Sequence, residues 1–364
     1  MVLAYCTTFF HLFNIIQLKL TLLANEKVDL ILSSDTNFRT LQTNLVKSGL
    51  FENVIISPIK NGVWSREYNE CPDEKKTKLF VSLVAKGSGL PIQNSYQDLY
   101  FGLDDPYNKF LYYCLAQKGN PPKVHLFDEG AASYVLSYKQ RIKTDKIPHN
   151  MFPGVELEKN FCESLLYAPE LCEGFGDLPV NQIPKIDRND EKSKAVFNSI
   201  FVHTKLSSER YVFFEGGAFQ DWLPTFDIEI LDQFAKIVGK ENILVKLHPR
   251  TISDRFSRRG YHVMKAENVP WEIYALNESI EDRVCISNAS TAALTLYTIF
   301  SLKIPCINFF KMDFLEKSIY TRQKVFPQIY RIQEKLFNKD KPTFFSPSNF
   351  EELRKIITYL EMLT

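Results

Sequence analysis

A histidine directly before a proline is the first group in the sequence whose type suggests chemistry. It lies in the motif Lys246-Leu247-His248-Pro249-Arg250, which follows an apolar run. Because proline fixes the local backbone and lacks an N–H, we expect His248 at the rim of a sheet. An imidazole titrates near neutral pH and can protonate a departing phosphate oxygen, while Lys246 and Arg250 would add positive charge. A histidine that only packs or caps a surface turn fits the same pattern.

A second motif places carboxylates at the end of another apolar run. Asp128-Glu129-Gly130 directly follows residues 124–127, and its glycine allows a tight turn. A carboxylate at such a strand end can accept the proton of an attacking hydroxyl group. The alternative is an N-cap for a helix that starts near Ala131, a role that acidic side chains fill well.

Two further motifs could hold parts of a nucleotide. Ser287-Asn288-Ala289-Ser290-Thr291 opens a predicted helix, so its hydroxyl and N–H groups could bind a phosphate at the positive end of the helix dipole. In Pro270-Trp271-Glu272 the carboxylate could accept hydrogen bonds from two ribose hydroxyls. Simple capping of a helix start explains both motifs equally well.

Paired glycines mark a fifth motif, Phe214-Glu215-Gly216-Gly217. They would let a ligand approach the backbone near Gly217, although an ordinary turn needs such glycines as much. Asp221 and Asp227 follow shortly afterwards. Asp227 is expected in the first turn of a helix capped by Thr225, which favours a structural role for it.

Short apolar runs alternate with longer amphipathic runs along most of the chain, which predicts βαβ units and parallel sheets. We predict strands at residues 2–7, 28–33, 53–57, 98–101, 123–127, 211–215, 243–247, 283–287 and 305–309. We predict helices at residues 12–24, 38–47, 75–85, 107–116, 228–238, 271–275, 292–300 and 350–363. Between residues 139 and 205 the pattern weakens and prolines recur, which is typical of a connection between domains.

These elements predict an α/β protein with two Rossmann-like parallel-sheet domains that face a cleft. The 364 residues exceed what one hydrophobic core usually fills, and the weakened pattern places the domains at residues 1–190 and 191–364. Ligands of such sheets bind outside the carboxyl ends of the strands. The motifs above fall at such ends.

Charge composition argues against a nucleic-acid binder. The chain has 44 basic and 43 acidic residues, a formal net charge of +1, which gives no general positive field. One local cluster consists of Arg250, Arg255, Arg258 and Arg259. It is typical of a solvated face, and it leaves open a peripheral association with an anionic membrane surface, as does the aromatic and basic stretch at residues 309–337.

The cysteines and the N-terminus indicate a cytoplasmic protein. Seven scattered cysteines form no Cys-x-x-Cys pair, so a disulfide framework or a zinc knuckle is not expected. Residues 2–18 carry no formal charge but lack a basic N-terminal region, and polar residues interrupt them. A buried strand followed by a helix therefore explains this segment better than a signal peptide does.

At these motifs the chain resembles bacterial sialyltransferases with the GT-B fold, in particular glycosyltransferase family 52. The resemblance lies in an acidic-acidic-glycine motif, matched by Asp128-Glu129-Gly130, in an HP motif, matched by His248-Pro249, and in a serine-rich motif, matched by Ser287, Ser290 and Thr291. It implies an N-terminal acceptor domain and a C-terminal donor domain. It also implies an inverting α-2,3-sialyltransferase that moves sialic acid from CMP-sialic acid to a galactose-terminated glycan of a capsule or lipooligosaccharide.

The resemblance implies a role for each candidate residue. His248 would be the general acid at the CMP phosphate, and Glu272 would bind the ribose. The general base stays open between Asp128, Asp221 and Asp227. The remaining donor-binding candidates are Gly217, Lys246, Arg250, Ser287, Ser290 and Thr291.

Neither a metal nor another cofactor is expected. No Asp-x-Asp motif in a strand-end loop is present, and Asp104-Asp105 precedes a predicted helix that it can cap. A CMP leaving group carries one phosphate, which a histidine, hydroxyl groups and a helix N-terminus can stabilise. The partners would be a nucleotide-sugar donor and a glycan acceptor, while the oligomeric state stays open, with a homodimer among the options.

Two other interpretations fit the same motifs. The first is an enzyme of the same fold with another donor, for instance a UDP-hexose transferase or a GT-B epimerase. The second is a non-catalytic protein that binds a glycan or a nucleotide, in which replacing His248 would change little.

Overall fold

A computed structural model gives the structure of the chain. It describes residues 1–58, 70–85, 95–102, 106–117, 121–135, 155–172, 178–216, 227–248, 251, 253–264, 268–288, 290–312, 325–338 and 343–363. These residues divide into two compact units. The first comprises Met1–Glu129 and Leu136–Val202, and the second comprises Gly130–Val135 and His203–Thr364.

The first unit is a parallel sheet with helices on both faces. Its strands in the described residues are β1 (Val2–Cys6), β2 (Val28–Leu32), β3 (Asn53–Ile56), β4 (Asp98–Phe101), β5 (Lys123–Phe127), β6 (Phe161–Leu166) and β7 (Val180–Gln182), in the order β3-β2-β1-β4-β5-β6-β7. Its helices are α1 (Phe9–Leu20), α2 (Arg39–Ser48), α3 (Asp73–Ala85) and α4 (Pro106–Ala116), and Glu191–Ile200 joins them later in the chain. Strands buried on both faces explain the continuous apolar runs in the sequence.

A chain segment that leaves β5 belongs to the second unit. It contains the short helix α5 (Ala132–Val135), after which the chain returns to the first unit and later forms α6 (Glu191–Ile200). Helix α6 packs against α1 and α2 of the first unit. The boundary predicted at residues 190 and 191 therefore lies just before a helix that packs in the first unit, and the second unit resumes at His203.

The second unit repeats this architecture with a smaller sheet. Its strands in the described residues are β8 (Tyr211–Phe214), β9 (Ile243–Lys246), β10 (His262–Met264), β11 (Val284–Ser287), β12 (Cys306–Asn308) and β13 (Phe344–Phe345), in the order β10-β9-β8-β11-β12-β13. Its helices are α7 (Asp227–Val238), α8 (Trp271–Asn277), α9 (Ala292–Phe300), α10 (Val325–Phe337) and α11 (Phe350–Met362). Apolar side chains of α7 and α11 share one core with the sheet.

Both sheets have a topological switch point. In each, the first strand along the chain lies between its second and fourth strands, so the chain connections run in opposite directions from that place. The switch points lie between β1 and β4 and between β8 and β11. The crevice outside the carboxyl ends of two such strands is where α/β sheets bind ligands.

The predicted α/β architecture with two parallel sheets is confirmed. Strands β4 and β5 and helix α9 begin and end where the sequence predicts. The prediction of an irregular connection over residues 139–205 is wrong for its described part, which contains β6, β7 and α6. Among the described residues, no helix has the length and apolar character needed to cross a bilayer.

Candidate functional site

The last residues of four neighbouring strands in the second unit lie side by side in a row across the sheet. Phe214 is in register with Lys246 on one side and with Ser287 on the other, and Ser287 is in register with Asn308. Residues in register on parallel strands point to the same face of the sheet. The ring of Phe214 packs edge-on against Trp271 of α8, at 5.2 Å between centroids, so this row faces α8 and α9.

On this face, a lysine and a glutamate influence each other's charge. Glu272, in the first turn of α8, is buried and accepts a hydrogen bond of 2.5 Å from the Thr295 hydroxyl of α9. Burial raises the pKa of Glu272 and lowers the pKa of Lys246. The positive charge of Lys246 opposes the rise at Glu272, and the negative charge of Glu272 opposes the fall at Lys246. A mostly desolvated cation therefore stands at the carboxyl end of β9.

The opposite face carries a cluster of buried charges, Glu215, Asp227, Arg255 and Asn288, which we call the charge cluster. The side chains of Glu215 and Asp227 are 0% exposed, and Arg255 lies within ion-pairing distance of both, at 3.3 Å and 3.2 Å. The Asn288 amide donates to the other oxygen of Asp227. The charge cluster thus joins the residues that follow β8 and β11, the start of α7 and the segment after β9.

Asp227 is the group of the charge cluster whose ionisation is most disturbed. Burial, opposed by the Arg255 charge and aided by the nearby Glu215 carboxylate, raises the pKa of Asp227 to about 6. The N–H of Gly216 and the Asn288 amide also donate to Asp227. Its oxygens are therefore engaged inside the second unit.

Glu215 organises the segment that carries His248. One oxygen of Glu215 accepts the His248 N–H at 3.0 Å and the Thr251 hydroxyl, and its other oxygen pairs with Arg255. The N–H of Thr251 in turn donates to the His248 carbonyl oxygen at 2.8 Å. His248 itself is half-buried and follows β9 by two residues.

The loop between β11 and α9 brings hydroxyl groups to a helix N-terminus. Ser290 caps α9 by accepting the Ala292 N–H at 3.2 Å, and the Ser287 hydroxyl lies 3.5 Å from the Ser290 carbonyl oxygen. Gly130 is in contact with this loop, because a Cβ placed on it would lie 3.2 Å from the Thr291 hydroxyl oxygen. Its φ of +104° also favours glycine.

Asp128 lies in the first unit, directly after β5. It is 2% exposed, and its carbonyl oxygen accepts a hydrogen bond of 2.6 Å from the Asn14 amide of α1. The Tyr167 hydroxyl donates to the other end of that amide at 3.0 Å. The backbone of the acidic motif is therefore fixed by side chains of its own unit.

The structure thus gathers the predicted residues of the second unit at one edge of its sheet. His248, Lys246, Glu272, Asp227 and the hydroxyl loop all lie at or beyond the carboxyl ends of β8, β9 and β11. The predicted candidates Gly217, Asp221 and Arg250 lie outside the described residues. The sequence analysis did not select Glu215, Arg255, Asn288 or Thr295 as site residues.

Of the four arginines predicted to form a solvated face, Arg258 and Arg259 are exposed, and Arg250 lies outside the described residues. Arg255 differs, because its side chain is only 17% exposed and is paired with the two buried carboxylates. Arg259 pairs with Asp232.

A metal site was not expected, and the described residues contain no group of three or more His, Cys, Asp or Glu side chains arranged to hold an ion. The basic and hydroxyl groups at the edge of the second sheet are instead of the kinds that bind phosphate.

Comparisons with known proteins bear on the fold. No family model matches the chain, and no curated protein matches its sequence. Among solved structures it is similar to a putative UDP-N-acetylglucosamine 2-epimerase from Listeria monocytogenes, with a TM-score of 0.51 and 10% identity over 99% of this chain and 87% of that one. A second UDP-N-acetylglucosamine 2-epimerase gives a TM-score of 0.50 and 10% identity over 99% of this chain and 86% of that one.

The chain has the GT-B fold. At 10% identity the likeness establishes the architecture and not the reaction. The expected membership of glycosyltransferase family 52 is wrong, since no family model matches and the similar structures are UDP-N-acetylglucosamine 2-epimerases. The CMP-sialic acid-dependent sialyltransferase activity that this resemblance implied is wrong for the same reason. Short motifs at strand ends misled the interpretation, because turns and helix caps in any such fold need the same residue types.

Proposed function

We propose that the chain is an enzyme that uses a UDP-sugar, and that its second unit binds the nucleotide at the carboxyl ends of β8, β9 and β11. The observation that supports this most is the N-terminus of α9 at the switch point, with Ser290 and Thr291 before it and Lys246 at the end of β9, two strands from β11. The N–H groups of a helix N-terminus, hydroxyl groups and a desolvated cation are together suited to a diphosphate.

Each candidate residue has a role in this proposal. Ser290, Thr291 and the first N–H groups of α9 bind the diphosphate, and Lys246 balances its charge. His248 donates a hydrogen bond or a proton to the phosphate oxygen that leaves the sugar. The carboxylate of Glu272 binds the ribose hydroxyls, in exchange for its interaction with Lys246.

The reaction that we propose is transfer of the sugar to a hydroxyl group of a glycan. Transfer breaks the bond between the sugar and the diphosphate and forms a bond from the sugar to the glycan oxygen, so free UDP is a product. A second candidate is 2-epimerisation of UDP-N-acetylglucosamine, the activity for which the two similar structures are named.

Calorimetric titration with UDP, UMP and CMP tests the binding proposal. We expect UDP to bind most tightly, and we expect Lys246→Met to weaken UDP binding about ten- to hundredfold, because a charge-assisted contact is lost. Lys240→Met is the matched control, since Lys240 precedes β9 in an exposed turn away from the strand end. Equal or absent binding of all three nucleotides would contradict the proposal.

Nuclear magnetic resonance of the products separates the two reactions. UDP-N-acetylglucosamine is incubated with the protein, with and without a mixture of glycan acceptors. Release of UDP that depends on an acceptor supports transfer, whereas a new UDP-sugar with altered configuration at carbon 2 supports epimerisation.

A further inference from the structure

Glu215 contacts β9 and the His248 segment that follows it through its backbone and through its carboxylate. It lies one residue beyond β8 and its backbone N–H continues the strand ladder by donating to the Lys246 carbonyl oxygen at 3.0 Å. Its carboxylate then reaches the neighbouring chain segment three times, at the His248 N–H, the Thr251 hydroxyl and the Arg255 guanidinium.

The geometry points to Glu215 as the positioning residue of His248. The imidazole belongs to a segment that leaves β9 and has no regular structure of its own at residues 247, 248 and 251. The buried Glu215 carboxylate accepts hydrogen bonds from the backbone and from the side chains of this segment, and it thereby fixes the segment at one point. We therefore propose that Glu215 holds His248 in the orientation in which it meets the ligand phosphate. This inference rests on the proposed function for the identity of the ligand.

The rest of the charge cluster keeps Glu215 in place. Arg255 bridges Glu215 and Asp227, and Asp227 receives the Asn288 amide from the segment that leads into α9. The His248 segment and the hydroxyl loop are thus linked through four side chains within the second unit.

A purely stabilising charge cluster is the competing explanation. In that case loss of Glu215 would lower the stability of the whole second unit, and β8, β9 and α7 would open together. A positioning role instead makes the effect largest in the His248 segment and in the step in which His248 takes part. The two explanations differ in an experiment that needs no ligand.

Hydrogen exchange of the ligand-free protein is the first arm of the test. We expect Glu215→Gln to speed exchange of the His248 amide about tenfold or more, because its charged acceptor is lost, and to speed exchange of β8 and α7 by a smaller factor. Thr251→Val keeps every charge and should give a smaller increase. Glu229→Gln is the matched control, since Glu229 is an exposed carboxylate in the first turn of α7. An unchanged His248 amide, or equal acceleration throughout the unit, overturns the proposal.

The second arm is a double-mutant cycle on the rate of UDP release from a UDP-sugar. Glu215→Gln should lower kcat about ten- to hundredfold with little change in UDP affinity, as expected for a misplaced reacting group. If Glu215 acts through His248, adding it to His248→Ala causes no further loss. Independent, multiplying losses overturn the proposal. A wild-type protein that neither binds UDP nor releases it refutes the proposed function alone, and the exchange arm still decides the role of Glu215.

Discussion

Replacing Arg255 with methionine removes the cation that separates two fully buried carboxylates. Glu215 and Asp227 are both 0% exposed at their side chains, so solvent cannot compensate for the loss. Breaking a buried ion pair by removing one partner costs about 3–5 kcal/mol. We expect a loss of unfolding free energy of that size for the second unit at pH 8.

The pH dependence of that loss follows from Asp227. Its folded pKa, about 6, exceeds the unfolded value, so its contribution to stability is complete below pH ~4 and is lost as the pH rises through 6. Without Arg255 the folded pKa rises further. Each further unit adds about 1.4 kcal/mol to the difference between wild type and variant on the alkaline side. The Arg255→Met variant should therefore approach the wild type as the pH falls from 8 to 5.5.

Urea unfolding at pH 5.5, 7 and 8 measures this difference. Fluorescence includes a signal from the second unit, where Trp271 is 3% exposed and packs against Phe214, and hydrogen exchange of β8 confirms which unit opens. Arg258→Met serves as the control, since Arg258 is exposed and should change stability by less than about 0.5 kcal/mol. A change that small in Arg255→Met, or a loss that shrinks toward alkaline pH, would refute the reasoning.

Three further substitutions test single contacts. Gly130→Ala should lower the free energy of unfolding in urea by about 1–3 kcal/mol, because φ is +104° and the new Cβ would lie 3.2 Å from the Thr291 hydroxyl oxygen. Gly260→Ala is its control: φ is +79° and nothing lies within 4 Å, so only the loss due to backbone strain should remain. His125→Gln should cost about 1–3 kcal/mol in the same assay, since its ring nitrogens contact two carboxylates at 2.7 Å and 2.9 Å; a stability equal to wild type would disprove the contacts. Thr295→Val should cost a similar amount by removing a donor from a buried carboxylate, and an unchanged melting temperature would contradict this.

Much of the fold follows from the sequence because its sheets are parallel and buried. Runs such as the one that forms β5 are apolar throughout and end at turn residues, so their limits can be read directly. Strand β6 was missed because it begins Phe161-Cys162-Glu163-Ser164, without either an apolar run or clear alternation. Helix α10 was missed because its aromatic and basic residues were interpreted as a membrane-facing stretch.

The candidate site was predictable only in part, for a physical reason. Strand ends place polar residues at the binding edge, so His248, Glu272 and the serine motif could be selected from the sequence. The ion pair between Asp227 and Arg255 joins residues 28 apart, and no local pattern encodes such a tertiary contact. Glu215 gave one signal, a carboxylate directly after the apolar strand β8, which was interpreted together with its glycines as a turn.

A crystal structure of the complex with UDP tests the central claim most directly. The account predicts the diphosphate within hydrogen-bonding distance of Ser290, Thr291 and the first N–H groups of α9, with Lys246 and the His248 ring on its other side. UDP bound at the carboxyl ends of β1 and β4, or away from the second sheet altogether, would contradict the account.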